Sequence, residues 1–448
     1  MHSSLYLVAG LGKTGLSIAR YLHRRKKAFV VFDTRTQPAG LAEFKAEFPG
    51  IDVFLGEIPD TLYGQLTEVI SSPGVALDEP SIQKAIHLGI PVIGDIECLA
   101  REVKVPVIAI TGTNGKSTVT TLVGEIAKAS GMCVAVAGNI GSPVLDLLDD
   151  NTHYELWVLE LSSFQLDLTY SLAPIAATVL NVTPDHLDRH RSLAAYINAK
   201  QRVYHQAKTL IYNRDDKQTL PVIQKTGQAP LITSYGLDAP KEGAWGMLSV
   251  NGVDVLSYGK ENVLPVDALC LKGRHNWQNA LAACALAEAA GIARHYMVSV
   301  LQRFTGLPHR SQWVRSIDGV DWINDSKGTN IGATMSAISG IGGSMQGKIV
   351  LIAGGQGKGA DFSELRTSMA DYVRSLVLIG EDADLLERAL ADVVPILRAP
   401  SLDAAVSLAK STARPGDVVL LSPACASLDM FRDFNHRGEL FTAAVNAL

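Results

Sequence analysis

Thr111-Gly112-Thr113-Asn114-Gly115-Lys116-Ser117-Thr118 stands between a short apolar run, 107–110, and a helix-compatible stretch, 119–129. That order is hard to satisfy outside an α/β sheet. A strand that delivers glycines to a helix N-terminus lets successive backbone amides converge on phosphate oxygens at the positive end of the helix dipole. Lys116 then offers a compact positive charge to the β and γ phosphates, and Ser117 is placed to touch Mg²⁺. The position five residues before Gly115 is Ile110 and not glycine, so the loop is a shortened relative of the standard P-loop. We read Gly112, Thr113, Asn114, Gly115, Lys116, Ser117 and Thr118 as an ATP phosphate cradle.

The rest of the chain repeats the theme. Short apolar runs alternate with longer amphipathic stretches almost throughout, the signature of βαβ units and parallel sheets covered by helices. Leu5–Ala9 and 28–32 read as strands around a helix near 14–23, and a strand at 68–71 stops at Ser72-Pro73-Gly74. Strands at 320–323, 348–353, 376–379 and 417–421, with helical segments such as 401–411, form a second doubly wound pattern. Breaks fall at 95–105 and at Thr305-Gly306-Leu307-Pro308-His309-Arg310. A chain of 448 residues is therefore expected to form three α/β domains, 1–95, 96–306 and 307–448, the first and last Rossmann-like and the central one P-loop-type with a mainly parallel sheet.

Charge and cysteine usage remove some function classes. Against 45 Asp+Glu stand 40 Lys+Arg, a net charge of −5, with no basic stripe to follow a phosphate backbone, so no nucleic-acid partner is expected. Five scattered cysteines without a CxxC pair suggest neither a disulfide framework nor a zinc site and fit a reducing compartment. The start lacks a signal-peptide pattern, and no apolar run approaches the roughly 20 residues a bilayer span needs. A cytoplasmic protein without a membrane span is expected.

Gly10-Leu11-Gly12-Lys13-Thr14-Gly15, with Asp33 ending the next strand, satisfies the dinucleotide fingerprint. Read alone it points to an NAD-dependent oxidoreductase. Its physical content is narrower, since any nucleotide diphosphate can use close backbone approach and a helix N-terminus. Glu160 closes a strand at 156–159, and His186 follows one at 177–180, positions from which both could meet one cation. Lys200 lies in a helix beginning at Ser192 and by itself reads as a solvated lysine. His275-Asn276-x-x-Asn279 opens a helix of small residues, 280–290, where the polar groups could serve as N-caps. Arg310, Asp325 and Lys327 read by themselves as surface charges.

The phosphate loop is followed, in order, by Gly138-Asn139-Ile140-Gly141, Glu160-Leu161-Ser162-Ser163-Phe164-Gln165, Asn181-Val182-Thr183-Pro184-Asp185-His186-Leu187-Asp188 and His275-Asn276-Trp277-Gln278-Asn279. This set resembles the central domain of the Mur ligases and of the related folylpolyglutamate synthetases, and the likeness to the Mur ligases extends over essentially the whole chain. It implies an ATP- and Mg²⁺-dependent amide-bond ligase with two Mg²⁺ ions, one held by Ser117 and Glu160 and a second, near an acyl phosphate, by His186. It implies that Lys200 is a carbamate, an anionic oxygen ligand in the metal region. Asn279, Arg310 and Lys327 would contact ATP, with Asp325 on its ribose.

The terminal regions resemble the D-glutamate-adding members. Gly12, Lys13, Thr14, Asp33, Thr34, Arg35, Ser72, Pro73 and Gly74 would bind the uridine diphosphate part of UDP-N-acetylmuramoyl-L-alanine, and Asn139 its muramoyl part. The segments Gly354-Gly355-Gln356-Gly357-Lys358-Gly359-Ala360-Asp361-Phe362 and Ser422-Pro423-Ala424-Cys425-Ala426-Ser427-Leu428-Asp429 resemble the D-glutamate site. There Lys358 would pair with a carboxylate, Thr329, Ser427 and the Leu428 amide would donate hydrogen bonds, and Phe434 would pack on the methylenes. Cys425 reads as a small buried residue. The expectation is a monomeric ligase in peptidoglycan precursor synthesis that joins D-glutamate to UDP-N-acetylmuramoyl-L-alanine through an acyl phosphate, giving ADP and phosphate. A sister ligase with another amino acid, the oxidoreductase and a noncatalytic nucleotide-binding regulator are the alternatives.

Overall fold

The computed structural model describes residues 4–183, 185–222, 229–271, 273–343, 345–357 and 360–448. The chain divides into two compact units, Met1–Gly236 with Gly243–Trp245 and Ala282–Met297, and Leu237–Glu242 with Gly246–Leu281 and Val298–Leu448.

In the first unit, β1 (Leu5–Ala9), β2 (Ala28–Asp33), β3 (Val53–Leu55), β4 (Leu66–Ser71) and β5 (Val92–Ile93) form a parallel sheet in the order β3-β2-β1-β4-β5. Helix α1 (Lys13–Arg24) leaves the end of β1 and buries Leu16, Ile18, Ala19 and Leu22. The order reverses between β1 and β4, so a crevice opens at their carboxyl ends, where ligands of such sheets gather.

A second parallel sheet follows helix α2 (Asp95–Glu102). It comprises β6 (Val107–Thr111), β7 (Val134–Gly138), β8 (Leu156–Glu160), β9 (Ala176–Val179), β10 (Thr209–Asn213) and β11 (Leu231–Tyr235), in the order β11-β10-β9-β6-β8-β7. Every residue of β6 and β8 is buried, which explains why they read as continuous apolar runs without alternation. Helix α3 (Lys116–Ala129) begins at Lys116, three residues earlier than expected, and places Lys116, Ser117 and Thr118 in its first turn. Helices α4 (Ser163–Asp167) and α5 (Leu193–Gln201) complete the parts of this unit used below. The two sheets are locked by Glu97 of α2, whose carboxylate accepts the Tyr170 and Ser171 amides at 2.7 and 2.8 Å, and by the Gly94 amide on Leu168 O at 3.0 Å.

The second unit contains a sheet that the sequence reading did not foresee, β12 (Trp245–Val250), β13 (Val253–Tyr258) and β14 (Glu261–Pro265), with β14 antiparallel to β13. Asn251 and Gly252, at φ +53° and +82°, turn β12 into β13. Both angles are positive, as a type I′ turn requires, so the Asn-Gly pair was a readable hairpin signal. Helix α6 (Arg274–Ala289) also starts before the expected 280, which places His275, Asn276 and Asn279 in its first turns and not at caps.

The large sheet of this unit is formed by β15 (Gln312–Ile317), β16 (Val320–Asn324), β17 (Ile349–Gly354), β18 (Val373–Ile379), β19 (Ile396–Arg398) and β20 (Val418–Leu421), in the order β15-β16-β20-β17-β18-β19. Only β15 runs antiparallel to its neighbour, at the edge. Helices α7 (Ile331–Gly342) and α8 (Phe434–Asn446) frame the loops at its carboxyl end. Among the described residues no helix is long and apolar enough to cross a membrane.

Candidate active site

Strand β6 delivers the phosphate loop at the point where its neighbours diverge, β9 on one side and β8 on the other. Gly112 has φ +153°, and a Cβ there would lie 2.9 Å from Leu180 Cβ; Gly115 has φ +81° and caps α3. The loop is clamped from the segment after β9. Asn181 accepts the Asn114 amide on Oδ1 at 2.8 Å and returns a bond to Asn114 O at 3.0 Å, while its own carbonyl accepts the Thr113 amide at 2.9 Å. Nothing local in the sequence gives Asn181 a role; the geometry makes it the brace that shapes the cradle. The Lys116 ammonium lies over the loop and donates to Gly112 O and Thr113 O at 3.0 and 2.9 Å.

Lys200 overturns its reading as a solvated side chain. It is 2 % exposed, donates to Gly112 O at 2.7 Å, and sits 4.4 Å from the centre of the Tyr196 ring. Burial pulls its pKa down to about 6, and the charge of Lys116 acts in the same direction, while Asp185 and Glu160 oppose them. The amine is therefore largely neutral at ordinary pH.

Glu160, at the end of β8, is 1 % exposed. Asn139 donates to Glu160 Oε1 at 2.8 Å, whereas Oε2 is buried without a hydrogen-bond partner among the described residues. A buried carboxylate oxygen with no donor is costly unless a cation uses it. Glu160 is also held by its backbone, because the Asn139 amide donates to its carbonyl at 2.8 Å and Gly138, at φ +108°, leaves room for that carbonyl. A Cβ on Gly138 would come within 2.1 Å of Glu160 O. Gly138→Ala is accordingly expected to lower unfolding stability by at least about 2 kcal/mol, read from urea melts.

His186 has φ +51° and an exposed ring, 5.0 Å from the ring of Phe164 and with Nε2 3.7 Å from Asp185 Oδ2. His190, for which the sequence offers no local signal, stacks on Phe164 at 5.5 Å between ring centres and bonds Ser163 Oγ at 2.9 Å. Among the described residues no three histidine, cysteine or acidic side chains converge to hold a metal unaided.

The first glycine loop opens on a cavity of about 530 Å³ lined by Gly12, Lys13, Thr14, Asp33, Thr34, Arg35, Ser72, Pro73 and Gly74, with Gly10, Leu11, Val75, Ala76 and Glu79. All of the residues expected to hold the UDP-sugar, except Asn139, thus line one crevice. Asp33 is fully engaged, accepting the Leu11 amide at 2.7 Å and the Arg35 amide at 2.9 Å, and pairing with the Arg35 guanidinium at 2.9 and 2.8 Å. In a dinucleotide enzyme that carboxylate would be offered to ribose hydroxyls; here it braces the loop and aims Arg35.

In the second unit, Asn279 is buried, with Nδ2 3.3 Å from Asn276 Oδ1. Asp325 is buried, and its carboxylate accepts the Ser311 amide at 3.0 Å and the Ser422 hydroxyl at 2.7 Å, so it fixes the residue after Arg310 and the start of the 422–429 loop. Burial pushes its pKa up to about 6. The Lys327 ammonium lies 4.0 Å over the ring of Phe434. Ser427 is buried, Leu428 is 64 % exposed, and the Thr329 amide donates to Lys327 O at 2.8 Å. Cys425 is buried, as expected, and its thiol is pushed up to about 12 by that burial. Lys358 lies outside the described residues.

A strand–glycine-loop–helix with a basic residue at the helix start, beside a strand that ends in a buried carboxylate, is the arrangement found in phosphate-binding α/β proteins, and a second glycine loop opens a crevice on the other sheet of this unit. Comparison with known proteins gives the family. The Mur ligase MurD-like N-terminal domain matches residues 4–94, the Mur ligase middle domain 110–287, and the Mur ligase glutamate ligase domain 309–425. The UDP-N-acetylmuramoylalanine--D-glutamate ligase of Legionella pneumophila (strain Philadelphia 1) is 66% identical over 449 residues, covering 100% of both chains, and that of Hahella chejuensis is 49% identical over 98% of both. Among solved structures, a pseudomurein peptide ligase type C from Methanothermus fervidus superposes with a TM-score of 0.59 at 18% identity, covering 99% of both chains, a likeness of fold. The chain belongs to the Mur ligase family.

Proposed function

We propose that this protein joins D-glutamate to the L-alanine carboxylate of UDP-N-acetylmuramoyl-L-alanine with consumption of ATP. The observation that carries this most is the 66% identity, over both full lengths, to a ligase named for that reaction. The braced phosphate loop and the crevice at the end of β1 support it, as does the engaged Asp33, which disfavours the oxidoreductase reading.

In this reading Lys116 and the loop amides hold the ATP phosphates, and Arg35, Lys13 and the 72–74 turn hold the uridine diphosphate. The donor set fits Mg²⁺, which takes one or two protein oxygens and completes its shell with water and phosphate oxygens. Glu160 Oε2, the Ser117 hydroxyl and a carbamate on Lys200 would supply the protein oxygens, with His186 beside them. When bound, Mg²⁺ would offset charge on the transferring phosphoryl group.

An oxygen of the alanine carboxylate attacks the γ-phosphorus, the bond to the β,γ-bridging oxygen breaks, and ADP leaves. Lys116 and the loop amides bear the charge that moves onto the leaving oxygen. The amine of D-glutamate then attacks the acyl carbon and loses a proton; the carbon–oxygen bond to phosphate breaks, leaving the amide. One carboxylate oxygen therefore departs with phosphate. Substrate labelled with ¹⁸O in the alanine carboxylate is expected to yield phosphate carrying one label per turnover by mass spectrometry. Unlabelled phosphate alongside amide product would contradict the acyl-phosphate route.

A further inference from the structure

Arg189, in the short helical turn Leu187–His190 that follows His186, joins parts of the first unit that are 114 positions apart in the chain. Its Nη2 donates to Val75 O at 2.7 Å, and its guanidinium carbon lies 4.5 Å from the centre of the Phe164 ring. A guanidinium can lay its flat face on a ring while an edge donates a hydrogen bond, and an ammonium cannot. Burial raises the pKa of Asp167, at the end of α4, and the charges of Arg202 and Arg189 oppose it. The guanidinium thus has a carboxyl group within its field, and what distinguishes it is the pair of groups it bridges.

One end of the bridge is the nucleotide crevice. Val75 lines it, and the Val75 amide donates to Ser72 O at 3.0 Å, closing the 72–75 turn. That turn rests on the first glycine loop: the Ser72 amide donates to Ala9 O at 2.8 Å, and a Cβ on Gly10 would come within 2.8 Å of Val75 Cγ2. The other end is the start of α4, just after Glu160. There Phe164 meets His186 at 5.0 Å and His190 at 5.5 Å between ring centres, and His190 bonds Ser163 Oγ at 2.9 Å. His186, at φ +51°, holds a backbone state that needs support from its surroundings.

We infer that Arg189 is a positioning residue that couples the two ends: a UDP-sugar in the crevice fixes the 72–75 turn, and through Arg189 the fixed turn holds Phe164 and the segment bearing His186. The inference rests on the UDP-sugar reading of the crevice given above. Such coupling is reciprocal, so an empty crevice leaves the His186 segment freer to move.

Amide hydrogen exchange by mass spectrometry tests this on the full protein with UDP-N-acetylmuramoyl-L-alanine and no ATP. In wild type the ligand is expected to slow exchange at 10–15, and at 185–191 by about fivefold or more. Arg189→Lys keeps the charge and loses the planar bridge, Arg189→Met loses both, and Phe164→Leu removes the ring at the far end. In each, saturating ligand is expected to protect 10–15 as in wild type, while protection at 185–191 falls below about twofold. Protection at 185–191 that is equal in wild type and variants, absent in wild type despite protection at 10–15, or retained in Arg189→Lys would overturn the inference. Failure of all three variants to show a cooperative thermal melt would also overturn it, by giving these contacts a structural role alone. Wild type in which 10–15 itself gains no protection would instead remove the UDP-sugar reading of the crevice.

Discussion

Lys116→Met is expected to reduce D-glutamate-dependent phosphate release roughly 100- to 1,000-fold, the usual loss when one donor to a developing anion is removed from a preorganised site. The residue stands at the start of α3, where the glycine at φ +81° and the Asn181 clamp already hold the backbone. Deleting the ammonium therefore leaves the cradle's shape in place and removes its charge. Methionine has nearly the same length and favours helix, so unfolding stability should change by no more than about 1 kcal/mol. The pair of readouts, steady-state phosphate release and a urea melt, distinguishes this from collapse of the loop, which would move both.

Lys200→Met is expected to cause a loss of similar size for a different reason. A carbamate forms when a neutral amine attacks carbon dioxide and loses a proton, and Lys200 is neutral above about pH 6 because burial, then Lys116, disfavour its ammonium. A millimolar short carboxylate such as acetate should restore part of the activity, because it returns an anionic oxygen to the place that the proposed carbamate would fill. Carbon-dioxide-free wild-type protein should gain stability as pH rises between about 6 and the unfolded lysine value of about 10.4, since over that window the unfolded chain binds more protons. Below about pH 6 both states are protonated and the slope vanishes. In Lys200→Met this slope should be absent, and stability should not fall, because an apolar chain of similar length replaces a buried amine and Gly112 O still accepts from Lys116 at 3.0 Å. Loss of activity without loss of stability, and recovery with acetate, would identify the missing group as an anion. Unmodified Lys200 in a fully active, carbon-dioxide-supplied enzyme would remove the role.

The readable parts of the chain were those decided by short stretches of sequence. Strand β6, its glycine loop and α3 are continuous in the chain, and their signals of apolar run, glycine spacing and helix start are local. The crevice at the end of β1 was readable for the same reason, since 10–15, 33–35 and 72–74 each follow a strand of one βαβ pattern. The hairpin at Asn251-Gly252 is equally local, but its strands sit inside a chain dominated by βαβ alternation, which masks their signal.

What could not be read was burial that arises only from distant packing. The run Ala195-Tyr196-Ile197-Asn198-Ala199-Lys200 gives no local reason for a lysine to be 2 % exposed; the roof over it is Gly112, 88 positions away. Arg437 is similar, a charged residue in an ordinary amphipathic helix whose partners lie at Ser326 and Cys425. Asn181 and Asp325 show a subtler gap. Sequence marked the motifs around them, but only the folded chain shows Asn181 bracing the phosphate loop and Asp325 turned inward onto Ser311 and Ser422.

The most direct measurement is phosphate release with ATP, Mg²⁺ and UDP-N-acetylmuramoyl-L-alanine, comparing D-glutamate with L-glutamate, D-alanine, L-lysine and no amino acid. Release that depends on D-glutamate, with the other acceptors at the background rate, is the predicted result. Release driven equally well by another of these amino acids, or none with D-glutamate from folded protein that binds ATP, would contradict it.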